Sequence, residues 1–590
     1  MTRSKFPSPH VRAWFSYALA AEVFSACGLA IFLPITLEQL GREIGYYAPE
    51  YIEPCSISNS AADGLERICK AKILGTWVDT ASFSMYVKSI AVAIQAICII
   101  SIGPLADSAY WRKRLLIIFA YSGSISAILF LFFPSTPSVS LPLIAALLFI
   151  IGNTAYATSI VCSNAFLPIL AREDEDVKKA FKESVPIISE SSENSQDDDD
   201  TVGYRRASID EEGENVIPNG LGIAVRAIST TDLAESDPDP LSSSGISPLG
   251  SRTHYETLLS LTISRLSSTG TALGFFSGVS VLTLLLIPVL LLNGTTFSLR
   301  LAIGLSGIWW AIFTIPSWIG LPSGSSSSLN EISEDTSTVK EKFGFKEAWK
   351  RIGHMLKPNE IRKLPNLYTF LIAWMFLSDG FHTATYSAIL FASSVLSMSA
   401  SKIILIGILV QLSAVISSIL VPKLQHSLSS KNSNKPITNF KVLLYTVLAA
   451  SLIPTYTCLG LILPFGGLRS EYEMYFLAIW FGLVFGPFLS YSRAVYTELI
   501  PPGHESTFFS LFAFTDKSAS FIGPAIVGLI ADFTGNLRFG FIFLLFMLVI
   551  PIPVLLQVSI RKGKEDAKIW SEDKIRSIGR EDETTGLLAE

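Results

Sequence analysis

Charge is scarce in this 590-residue chain. Asp, Glu, Lys and Arg make up 16% of it, while 49% is hydrophobic and the mean hydropathy is +0.46. A soluble domain carries about 25% charged residues. With many apolar runs of about 20 residues, this balance excludes an ordinary soluble domain and describes a polytopic helical membrane protein. Gly-x-x-x-x-Gly-Lys-Ser/Thr does not occur, so ATP-driven pumping has no support. No zinc, haem or nucleophile constellation stands out. We therefore expect no enzyme activity, cofactor or metal, and nothing points to a nucleic-acid partner. Cysteine is sparse as well, with six residues in all. Cys27, Cys98, Cys162 and Cys458 lie in apolar runs and read as packing residues. Cys55 and Cys69 share one polar loop. A disulfide between them would put that loop on an oxidising, lumenal side; two free thiols would leave sidedness open. No cleavable signal peptide is expected, because the first apolar run, Trp14 to Leu40, exceeds a signal h-region and reads as the first spanning helix.

Twelve apolar spans can be drawn, at 14–40, 81–106, 115–133, 142–168, 258–292, 299–321, 367–396, 402–422, 440–463, 473–497, 507–532 and 538–560. The fold class they predict is an all-α membrane protein. Lys and Arg concentrate before the first span, between the second and third (Arg112, Lys113, Arg114), in the central loop and after the last span. All of these fall on one side of a twelve-span protein, which predicts cytosolic termini. The sequon at Asn293 then falls on the lumenal face, as a glycosylation site or an unmodified turn.

Two segments stand apart from the membrane core. Residues 171–256 carry a net −12 against −5 for the whole chain, leaving +7 elsewhere, and are expected to be disordered. Within them, Arg205-Arg206-Ala207-Ser208 is the pattern of a basophilic kinase site at Ser208. Residues 322–366 run from a Ser-rich stretch into a basic segment, Phe343 to Leu356. That segment reads either as a membrane-surface helix or as a solvated linker.

An internal repeat gives the spans an order. Ser, Ala and Leu of Ser163 to Leu170 recur in Ser492 to Leu499 at an offset of 329 residues. Small residues of Thr269 to Gly274 recur in Ser518 to Gly523 at an offset of 249. The 80-residue difference is about the length of the acidic loop. Spans four and five therefore match spans ten and eleven, with the loop as an insertion. Two six-helix pseudo-repeats with a substrate site between them follow, the layout of the major facilitator superfamily. Gly103 to Asp107 followed by Arg112-Lys113-Arg114 resembles that superfamily's Gly-x-x-x-Asp…Arg-Lys-Arg loop. Asp107, Arg112 and Arg114 are then gate residues; the simpler reading is a positive-inside anchor.

Ionisable groups at membrane depth are costly and usually functional. Glu22 lies nine residues into the first span. Asn153 and Tyr156 share a face of the fourth, Asp379 and His382 a face of the seventh, and Gln411 lies midway along the eighth. Asp516 and Lys517 lie about nine residues into the eleventh, where the repeat has Ser267 and Ser268, with Arg265 close by. A free amino acid needs an acceptor for its ammonium and a donor for its carboxylate. Glu22, Asp379 or Asp516 offer the first; Lys517, Arg265 or a broken-helix N-terminus offer the second. His382 and the carboxylates are alternatively proton-relay groups. The plainer reading makes Asp516 and Lys517 a structural pair, and Asn153 and Gln411 interhelical glue.

Ala20 to Phe24, Gly103 to Asp107, Ile263 to Ser268, Leu377 to Gly380 and the Ser492–Ile530 hairpin with Glu498 to Gly503 resemble the fungal autophagy-related protein 22 family, a major facilitator branch. The resemblance covers essentially the whole membrane domain, and the acidic insertion fits it. It implies a vacuolar membrane protein exporting amino acids such as leucine to the cytosol after autophagic protein breakdown. It carries no site motif with assigned ligands. Glu583, Leu587 and Leu588 form an acidic dileucine pattern of the kind sorting adaptors read. The rival expectation is a non-transporting membrane scaffold acting in autophagic-body breakdown through the acidic loop.

Overall fold

Proline and small residues set the main breaks in the helices. The computed structural model describes residues 8–55, 69–73, 75–107, 109–134, 136–184, 248–323, 349–350, 353–431, 437–462, 466–501 and 505–587. Ser208 and Leu588 lie outside these, and of Asp107, Arg265, Glu583 and Leu587 only the helical backbone is described. Helix α1 (Pro9–Val23) starts at Ser8, whose hydroxyl accepts the Val11 N–H. It runs through a nine-residue π-helical stretch, Phe24–Phe32, into α2 (Leu33–Glu43). Pro34 has no N–H for the ladder, and the Leu33 N–H reaches back five residues to the Gly28 carbonyl.

The 41–80 loop holds the one departure from all-helical structure among the described residues. Strands β1 (Tyr46–Tyr47), β2 (Cys69–Ile73) and β3 (Thr76–Asp79) form an antiparallel sheet in that order. Ile73 pairs with Thr76 across a turn in which Gly75 takes φ +88°, and a disulfide joins Cys55 to Cys69.

Helices α3 (Thr80–Asp107), α4 (Ala109–Ile128) and α5 (Ser140–Asn164) follow, then short α6 (Leu167–Arg172) and α7 (Glu175–Ser184). Long α8 (Pro248–Leu291) and α9 (Thr296–Gly320) complete the N-terminal part. The acidic segment is thus structured at both ends. In α7, Val177 and Ala180 are buried, and Phe181 packs 5.4 Å from Tyr255 of α8. The apolar residues among the charges suffice for one amphipathic turn-and-pack.

The C-terminal part contains α10 (Pro358–Lys363), α11 (Pro365–Ser394), α12 (Ala400–Lys431), α13 (Asn439–Ile462) and α14 (Glu471–Thr497). It continues through α15 (Glu505–Ala519), α16 (Ile522–Thr534), α17 (Gly540–Val549), α18 (Pro551–Leu556) and α19 (Ile560–Leu587). Ten helices among the described residues are long and apolar enough to cross a membrane. The expected spans at 367–396 and 507–532 are not among them. Helix α11 has the length, but Ser378, Asp379, His382, Thr383, Thr385 and Ser387 interrupt its middle. The other run is split at Ser520 and Phe521, where the ring of Pro524 would meet the carbonyl four residues back.

Side-chain bonds sort the helix ends onto two faces. Lys113 reaches the Leu321 carbonyl at 2.7 Å, His10 meets Glu173, and Lys564 meets Glu498 on the face that carries the first and last helices. Thr296 meets Glu43, Arg300 meets the Phe133 and Pro134 carbonyls, and Lys402 meets Glu471 on the sheet-bearing face.

Candidate functional site

The N- and C-terminal parts are bonded to one another toward the sheet-bearing face. There Lys70 of β2 lies 3.6 Å from the Asp532 carboxylate and donates to its backbone carbonyl. The Asp79 N–H donates to Asp532 Oδ1 at 2.9 Å, and Arg42 donates to the Ser394 carbonyl at 3.3 Å. Farther in, Ser84 and Tyr386 share a hydroxyl bond of 2.8 Å, and Ser89 donates to the Phe521 carbonyl at 2.6 Å. All these bonds fall within the first ten residues of α3 or the elements before it.

This closure is predicted to respond to pH. The Asp79 carboxyl is raised above the ordinary 3.8 of an aspartate, chiefly by burial; the Ser82 and Ala81 amides oppose the rise and the neighbouring Asp532 adds to it. A raised acid holds its proton more tightly in the closed state. The resulting stabilisation is complete below pH 3.8 and is lost as pH climbs through the shifted value. Acidifying the sheet side from neutrality should therefore slow thiol labelling of a Ser84→Cys probe, and Asp79→Asn should flatten that dependence. Faster labelling in acid would contradict it.

Charges of both signs lie in the interior of the bundle. Asn153 and Tyr156 share a face of α5, as their spacing predicts, and each holds a charged group. The Tyr156 hydroxyl donates to Glu22 Oε2 at 3.4 Å. Lys88 donates to Asn153 Oδ1 at 3.2 Å, and the Asn153 amide donates on to Gln95 at 2.5 Å. Gly274 lets α8 close on α1, since a Cβ there would sit 3.1 Å from that of Glu22. In the C-terminal part, Asp516 pairs with Lys517 at 2.7 Å and accepts the Ser378 hydroxyl.

Asp379 and His382 share a side of α11 but not an environment. Asp379 is fully buried; its Oδ2 accepts the Gly523 N–H at 2.9 Å and its Oδ1 the Thr383 hydroxyl at 3.0 Å. It caps the restart of α16 from a neighbouring helix, so the broken-helix N-terminus and the carboxylate satisfy one another. His382 is exposed, although flanked by buried Phe381 and Thr383 and within the fields of Lys517, Asp516 and Lys88. The Gln411 carbonyl is buried without a hydrogen-bond partner among the described residues and lies across from Gly278 of α8.

Lys88, Gln95, Glu38 and Asp532 escape the sequence reading. The available signal for Lys88 was a single lysine deep in an apolar run. Of the loop cluster, Arg112 is buried, donates to the Ala106 carbonyl at 2.9 Å and stands over Phe166, while Arg114 is exposed over Tyr110. Asn293 is exposed at φ +53° in the turn joining α8 to α9.

A bundle of many membrane-crossing helices with both signs of charge in its interior is a polytopic membrane protein, and the fold is of the major facilitator type. A solved D-xylose–proton symporter superposes with a TM-score of 0.51 at 12% identity, over 94% of this chain and 99% of that one. The chain belongs to the family described as vacuole effluxer Atg22 like, whose model matches residues 7–568. Autophagy-related protein 22 of Cryptococcus neoformans var. neoformans serotype D (strain JEC21) is 64% identical over 579 residues, covering 98% of this chain and 99% of the relative. Autophagy-related protein 22-1 of Neosartorya fischeri is 34% identical over 607 residues, covering 96% and 93%. The protein is thus a multi-pass membrane transporter of autophagy.

Proposed function

We propose that this protein exports neutral amino acids, leucine among them, from the vacuole to the cytosol after autophagic protein breakdown. Two six-helix halves rock about a central site in alternating access, with both termini cytosolic. The observation that carries this reading is the coexistence of an acceptor, Glu22, and a donor, Lys88, on partly buried side chains held by one face of α5. An α-ammonium and an α-carboxylate need that pair of opposite charges. Alternating access is supported by the described bonds joining the two parts, which lie toward the sheet-bearing face. Both the vacuolar destination and the direction of flux follow the family description. On this reading the dileucine pattern of the tail recruits a sorting adaptor, and Asp107, Arg112 and Arg114 serve the cytosolic gate.

Flux of labelled leucine in vacuolar vesicles tests the proposal, and deletion of residues 185–247 separates it from a scaffold. The deletion spares α7 and α8, so efflux should stay within about twofold of the intact chain. A scaffold acting through the acidic loop would show no flux in either form and would lose its autophagic role on deletion.

A further inference from the structure

Lys88 is the ninth residue of α3, about 12 Å along the helix from its start. It makes no ion pair among the described residues. Its ammonium donates to the neutral Asn153 and stands 5.6 and 5.7 Å from the ring centroids of Phe149 and Tyr386. Glu22 is in the same condition with the opposite sign, its carboxylate held by the neutral Tyr156 hydroxyl. In the C-terminal part Asp516 is paired with Lys517, and Asp379 accepts two hydrogen bonds, from the Thr383 hydroxyl and the Gly523 N–H. Lys88 and Glu22 of the N-terminal part thus have only neutral partners among the described residues, and leaving charges unanswered at this depth is unfavourable.

The residues that hold the two share one face of α5. Asn153 and Tyr156 stand three residues apart on α5, where Cβ atoms lie about 5–6 Å apart. Asn153 is itself fixed, because its amide is committed to Gln95 and only its carbonyl faces Lys88. We propose that Lys88 and Glu22 form a head-group clamp for a zwitterion, with Lys88 taking the α-carboxylate and Glu22 the α-ammonium of a free amino acid. The clamp rests on the amino-acid reading above and refines it: both head groups are read by the N-terminal part alone. An amino acid neutralises the clamp at no net charge, whereas an amine or a carboxylic acid answers only one side. Extra charge on the substrate side chain would find no free counter-charge in Asp516 and Lys517, which spend theirs on one another.

The test uses the full chain in proteoliposomes, with labelled leucine flux competed by leucine, leucinamide and 4-methylpentanoate. In the unaltered protein, leucine should compete at least tenfold better than either analogue, since each lacks one charge-assisted bond. Lys88→Met should raise the leucine KM about 10-fold or more and erase the preference for leucine over leucinamide; Lys88→Arg should restore part of both. Glu22→Gln should instead narrow the gap between leucine and 4-methylpentanoate. A structural role for either residue would lower flux without moving these ratios. Equal competition by leucinamide and leucine in the unaltered protein, or an unchanged KM in Lys88→Met, would overturn the clamp and leave leucine transport standing. Absence of flux for every neutral amino acid would remove both. If Lys88→Met does not fold, the analogue series on the unaltered protein decides alone.

Discussion

Asp379→Ala is expected to abolish leucine flux and to destabilise the protein by about 2–5 kcal/mol, because two buried donors lose their acceptor at once. The Gly523 N–H belongs to a helix that restarts inside the bundle, and Phe521 before it supplies no side-chain cap. The carboxylate is fully buried. Asp379→Asn keeps the volume and one acceptor oxygen, so it should retain roughly half of the lost stability. Gly523→Ala should behave like Asp379→Ala, since a Cβ there would press on the Asp379 carboxylate and the Thr383 hydroxyl. Thermal unfolding in detergent, paired with vesicle flux, checks all three. Normal melting and normal flux in Asp379→Ala would remove the cross-helix cap from the account.

Arg42→Ala should be the next most damaging change. Its guanidinium lies 3.0 Å from Glu38, whose side chain is 0% exposed, and it also donates to the Ser394 carbonyl at the end of α11. Stripping the partner from a buried charge costs about 3–5 kcal/mol. The arginine side chain is itself 37% exposed, and solvent screening lowers the expectation to about 2 kcal/mol. Glu38→Gln in the same background should recover most of it, because no charge is then left behind. A double-mutant cycle on melting free energies measures the coupling, and additive losses would show that the pair does not act as one.

Much of the architecture was legible because membrane helices announce themselves by length and apolarity alone. Ten expected spans coincide with the ten long apolar helices, from Pro9–Glu43 to Leu537–Leu556. The two that fall short are interrupted, by polar residues in one and by a proline-enforced break in the other. Asp516 and Lys517 were readable as a pair because they are neighbours in the chain. Asp379 was readable by depth, but its partner Gly523 is 144 residues away, so its role as a cap was not. Lys88 was equally readable by depth, but its partners were not, since Asn153 lies 65 residues on and Tyr386 in the other part. Depth in a membrane can be read from one segment, whereas pairing requires the fold. The small sheet escaped because strands of two to five residues leave little periodicity to find.

The π-helical stretch of Phe24–Phe32 has a practical consequence for engineering. It slips the angular phase of the backbone between Glu22 and Glu38, so a single helical wheel drawn through the whole 35-residue rod assigns one end to the wrong azimuth. Cysteine crosslinks or spin-label pairs meant to report rocking of the first rod should therefore be laid out from each end separately, with Val23 and Leu33 as the two origins.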